Sequence, residues 1–139
     1  MNELKLLSVT GNLGYGFNES SLKEGKRRQP DMIGADNGST DPGPYYLGSG
    51  EQLTREGQVK RDLKYSLGAA RELGVPYVIG SAGTAGGKAH VNAFLKILYE
   101  IVEEENKIIT LIRGETKHSI APLRWWRPGR YLCRRGRRA

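Results

Sequence analysis

A chain of 139 residues makes one domain with a modest core and leaves no room for two. A net charge of +7 and a pI near 9.7 would ordinarily point to nucleic acid or an anionic membrane. The distribution argues otherwise, because residues 1–115 carry 14 Lys and Arg against 15 Asp and Glu, whereas residues 116–139 carry 8 basic residues and no acidic one. The single cysteine, Cys133, excludes an internal disulfide and argues against a cysteine metal site.

Leu4 to Val9 reads as a buried first strand; it is too short, and lacks the flanks, to be a signal peptide, and no run approaches a membrane span. The cytoplasm is the expected compartment, and a membrane is not an expected partner. The strand runs into Thr10-Gly-Asn-Leu-Gly-Tyr-Gly-Phe17, followed by Asn18 as N-cap and Glu19 in the first turn of a helix reaching about Arg28. Gly11, Asn12, Gly14 and Gly16 lie between strand and helix, where backbone amides can approach an anion. The spacing is not that of a dinucleotide fingerprint, and a purely geometric tight turn is the alternative.

Met32 to Ala35 reads as the second strand. After it, Asp36 to Gly50 is a long run of Gly, Pro, Ser, Asp and Tyr that is expected to form neither helix nor strand, and so to be a binding or catalytic loop rather than a mobile excursion. Asp36 and Asp41 are candidates for a metal ligand or general base, a divalent metal being expected through Asp36; capping its own loop is the competing role for Asp36 and the preferred one for Asp41. Ser39 and Thr40 add hydroxyl donors, and Tyr45 and Tyr46 can line a pocket for an apolar or acyl group.

From Thr54 to Leu73 the apolar positions Val59, Leu63, Leu67, Ala70 and Leu73 recur every three or four residues, which describes a helix with one buried face, stopped by Gly74. Val75 to Ile79 is the third strand. It continues into Gly80-Ser-Ala-Gly-Thr-Ala-Gly-Gly-Lys-Ala-His90, where Ser81, Gly83, Thr84, Gly86, Gly87 and Lys88 are candidates for binding an anion. Ser81 lacks the nucleophile elbow, and Ala89 after Lys88 excludes a phosphate-loop motif. His90 falls in the first turn of a helix over about Ala89 to Glu105, where the helix dipole favours the neutral imidazole of a base or electrophile; a structural histidine is the competing reading. Lys107 to Ile112 is the expected fourth strand.

The order βαβαβαβ with crossover-length connections predicts an α/β fold on a parallel sheet, either an open Rossmann-like half or a partial barrel. In such a sheet the three unusual loops emerge on one edge, so the site is expected there. A four-strand half-sheet also leaves apolar faces and a strand edge uncovered, which predicts marginal stability or self-association.

The runs Thr10 to Phe17, Gly34 to Gly50 and Gly80 to Gly87, above all Asp41-Pro-Gly-Pro-Tyr-Tyr46, resemble the N-terminal region of the acyclic terpene utilisation (AtuA) family over roughly Leu4 to Ile112. The resemblance implies a bacterial cytoplasmic protein linked to catabolism of branched acyclic compounds as CoA thioesters, and it carries over no catalytic residue. The expected function is binding of a small carboxylated or CoA-linked branched metabolite, with Asp36 and His90 for proton transfer if the protein is an enzyme. The alternatives are a non-catalytic binding module, or a lyase-type enzyme on a small branched dicarboxylic or amino acid.

Family members continue with further strands and helices where residues 116–139 here have neither period nor acidic residues. A frameshifted or truncated reading frame is the preferred account of this tail. A genuine basic arm is the other, and only in that case is nucleic acid or acidic lipid an expected partner, through arginines interleaved with Trp125, Trp126 and Tyr131.

Overall fold

The computed structural model describes residues 3–38, 43–106, 109 and 111. Three strands, β1 (Leu6–Ser8), β2 (Met32–Gly38) and β3 (Tyr77–Thr84), pair in the order β1-β2-β3, all parallel. Four helices connect and follow them: α1 (Glu19–Arg27), α2 (Gly43–Ser49), α3 (Glu56–Leu73) and α4 (Lys88–Glu104). The expected α/β class is the observed one.

Local sequence accounts for most of the boundaries. The Asn18 side chain accepts from the Ser20 amide at 2.9 Å and starts α1. At the end of α3, Gly74 takes the left-handed conformation (φ 68°) and its amide and that of Val75 return to Arg71 and Ala70, closing the helix with a Schellman pair.

The core lies on one side of the sheet. Leu13, Val59, Leu63, Phe94, Ile97, Leu98 and Ile101 form one buried cluster against Ala35 and Ile79. Leu22, Ile33, Ala69 and Ala70 form a second against Leu7 and Val9. Strand residues of the opposite parity are half-buried or exposed among the described residues: Leu6 is 61% and Val78 52% exposed. Strand side chains alternate between faces, so the sheet is dry on its helical side and open on the other.

Two expectations are corrected. Two parts of the 36–50 stretch form regular structure: β2 runs on through Gly38, and Gly43–Ser49 is helical. Pro44 sits at the second helical position, where the missing amide proton costs nothing and the fixed φ favours the turn, and Gly50 (φ 76°) ends it with its amide on Tyr46. Strand β3 likewise continues past Ile79, because a register shift between Asp36 and Gly38 absorbs the positive φ of Ser81 and Gly83. Gly38 pairs with Thr84 there, and a Cβ on Gly38 would stand 2.1 Å from the Thr84 carbonyl oxygen, so only glycine fits. The expected fourth strand lies outside the described residues except for Ile109, which lines a narrow gap with Leu67 and Ile101, and Leu111, which packs on the first cluster. Residues 112–139 also lie outside them.

Candidate functional site at the carboxyl edge

Parallel strands deliver the segments after β1, β2 and β3 to the same edge, and one side chain ties them together. Asn37 is 1% exposed; its Nδ2 donates to the Leu13 carbonyl at 2.9 Å and its Oδ1 accepts from the Gly83 amide at 2.8 Å. The Leu13 amide in turn donates to the Asp36 carbonyl at 2.8 Å. A side-chain amide both donates and accepts, so a single buried asparagine satisfies two loops at once.

In the first loop the glycine amides hold an anion that belongs to the chain itself. Gly14 and Gly16 donate to Asp62 Oδ2 at 2.8 and 3.0 Å, and Arg61 Nη1 lies 3.0 Å from Oδ1. Asp62 is 1% exposed. The anion-binding role expected of these two amides is therefore filled from α3, and a ligand has to be met elsewhere. Gly11 is exposed, and Asn12 is buried with its Oδ1 unpaired among the described residues.

In the second loop Asp36 stands exposed at the edge, with Oδ1 accepting from the Asn37 and Gly38 amides at 2.7 and 3.0 Å. It thus satisfies two amides at the end of its own strand while remaining open to solvent. Gly80 of β3 faces it, close enough that a Cβ there would lie 3.6 Å from Oδ1. Ser39, Thr40 and Asp41 lie outside the described residues. Tyr45 and Tyr46 on α2 meet edge to face at 5.1 Å, and Tyr45 and Leu47 are largely exposed.

In the third loop Ser81 is exposed, whereas Gly83 and Thr84 are buried. Thr84 has φ 94°, a conformation that a β-branched residue adopts only under constraint, and its Oγ1 accepts from the Leu53 amide at 2.9 Å. Gly86, Gly87 and Lys88 open α4. Gly87 is the N-cap and has no side chain to cap the helix, so among the described residues the first amides of α4 have no side-chain cap; Lys88 is exposed beside them.

His90, two residues further on, is 1% exposed. Its Nε2 lies 3.1 Å from the Glu51 carbonyl oxygen, and Nδ1 is buried with no partner among the described residues. Among those residues no group of three or more His, Cys, Asp or Glu could hold a metal ion, so Asp36 has no companion ligands there. No described helix is long and apolar enough to cross a membrane.

The sequence reading missed Asn37 and Asp62. Asp62 did leave a signal: it falls on the apolar stripe of α3, three residues after Val59 and beside Leu63, where a carboxylate is buried and needs partners. Asn37 left none, because its neighbours read as loop.

No protein-family model matches the chain, and neither a curated protein nor a solved structure is significantly similar to it.

Proposed function

We propose that this chain binds a small acidic metabolite, a branched carboxylate or its CoA thioester, at the carboxyl edge of its sheet. The observation that carries the reading is the Asn37 tie: the first and third loops, both rich in glycine, are held to the end of β2 before any ligand arrives, which lowers the ordering cost of binding. The uncapped N-terminus of α4 and Lys88 suit the anionic group. Tyr45, Tyr46 and Leu47 on α2 suit the branched apolar part. The likeness of the three loops to the acyclic terpene utilisation family supports the same substrate class.

If the site is catalytic, Asp36 is the residue for proton transfer, since its carboxylate is exposed between the second and third loops. His90 lies behind the N-cap of α4 and fits an orienting role better. The test is thermal unfolding against a series of branched free acids and acyl-CoAs, with product analysis alongside. Stabilisation that grows with ligand concentration is expected. Asp36→Asn is expected to keep that stabilisation and to lose any turnover. A series in which no acid and no thioester raises the unfolding temperature refutes the reading, and stabilisation without product makes the chain a binding module.

A further inference from the structure

The Glu51 carbonyl is an acceptor only, so the His90 Nε2 that faces it at 3.1 Å carries the proton. In the neutral ring Nδ1 is then a bare lone pair, buried and without a partner among the described residues. A buried acceptor left unsatisfied is costly, and it is satisfied by a donor rather than by an anion. This lone pair lies at the start of α4: a Cβ on the N-cap Gly87 would stand 3.1 Å from Nδ1 and 3.1 Å from Leu47 Cδ1. Gly87 has φ −67° and ψ 161°, which any residue adopts, so its missing side chain leaves room rather than relieving strain.

Two demands therefore meet within one helical turn. The unfilled amides of α4 and Lys88 call for negative charge, and His90 Nδ1 calls for a hydrogen-bond donor. We propose that the N-terminus of α4 is a subsite for an oxyanion that carries its own hydroxyl beside the charge, with the anionic oxygens on the first-turn amides and the O–H donated to His90 Nδ1. A 2-hydroxycarboxylate and hydrogen phosphate share that chemistry. The proposal rests on the reading that an acidic ligand binds at this edge, and it narrows the ligand to hydroxyl-bearing members. Leu47 Cδ1 of α2 borders the same space beside Gly87, and because Leu47 is more than half exposed its side chain can swing aside to admit the hydroxyl.

Two pairs of probes differ in the hydroxyl: lactate against propionate, and hydrogen phosphate against sulfate. Each is titrated into the full chain labelled with 15N at neutral pH and constant ionic strength. The hydroxyl-bearing member of at least one pair is expected to bind about tenfold more tightly, the worth of one hydrogen bond at a desolvated site. The amides of Lys88, Ala89 and His90 should shift, and the unprotonated Nδ1 resonance of His90 should move upfield only with the hydroxyl-bearing member. Gly87→Ala, whose new methyl group occupies the space beside Nδ1, is expected to abolish the preference and to leave weak anion binding.

Equal binding within both pairs overturns the proposal while leaving the acidic-ligand reading intact. Failure of all four probes, or an Nδ1 found protonated in the free protein, also overturns it. A preference only in the phosphate pair assigns the subsite to a phosphate group, and one only in the lactate pair assigns it to a hydroxy acid.

Discussion

Replacing Asn37 by alanine tests whether the three loops are one cooperative unit. The substitution removes the Leu13 and Gly83 hydrogen bonds and leaves both backbone groups buried. Two bonds with their desolvation penalties amount to about 2–4 kcal/mol, out of a total of roughly 5–15 kcal/mol for a domain of this kind. In urea the midpoint should fall by roughly 1–2 M with the slope unchanged. Asn37→Asp sharpens the test. At neutral pH its carboxylate would place a second acceptor against the Leu13 carbonyl, so this variant should be less stable than Asn37→Ala. Protonation restores a donor, which raises the folded-state pKa of the new carboxyl above its unfolded value. The contribution is therefore fully present below the ordinary carboxylate range and is lost as pH rises through the folded-state value. Denaturation curves at pH 4 and pH 7 measure it. A loss below about 0.5 kcal/mol for Asn37→Ala, or an Asn37→Asp protein as stable as the parent at neutral pH, refutes the argument.

Asp62→Ala strips the Gly14 and Gly16 amides of a fully buried carboxylate and should cost about 3 kcal/mol, far more than Arg61→Ala, whose side chain is partly exposed; urea midpoints of the two variants give the comparison. Lys60, then Lys64, hydrogen-bond the Glu104 carboxyl and hold it down to about 2 from an ordinary 4.5. The α3–α4 contact is therefore at full strength above pH 4.5 and weakens as pH falls towards 2; these groups face solvent, so molar salt should flatten that acid limb of the stability profile. Leu6→Lys puts a charge on the open face of β1, the edge strand among the described residues, and should suppress the concentration dependence of sedimentation expected of the parent chain. A parent that sediments as a monomer at every concentration contradicts the last expectation.

Much of the scaffold was legible in the sequence because its signals are local. The stripe from Val59 to Leu73 had a period only a helix satisfies, and Gly74 supplied the left-handed stop. Asn18 announced the start of α1 through its own side-chain hydrogen bond. Alternation of strands with helices implied crossovers, hence parallel strands and a shared carboxyl edge, and the structure has that arrangement. The 36–50 stretch misled because residue type was read without position: proline opens a helix as readily as it breaks one, and Gly38 is needed for pairing with Thr84 rather than for a turn.

The sequence by itself thus determined the α/β class, the order of the elements and the edge on which the unusual loops gather, since each follows from periodicity, capping and chain connectivity within a few residues. Tertiary structure alone decided which polar groups face each other. Asp62 lies 46 residues from Gly16 in the chain, and Asn37 lies 24 from Leu13 and 46 from Gly83. Glu51 lies 39 residues from His90. A hydrogen bond depends on placing two atoms within about 3 Å and in line, and no local pattern encodes that for groups so distant in sequence. For this reason glycine amides that were candidates for a ligand site hold the protein's own carboxylate, while His90, a candidate base with a structural role as the competing reading, is buried with one nitrogen satisfied and the other without a donor among the described residues.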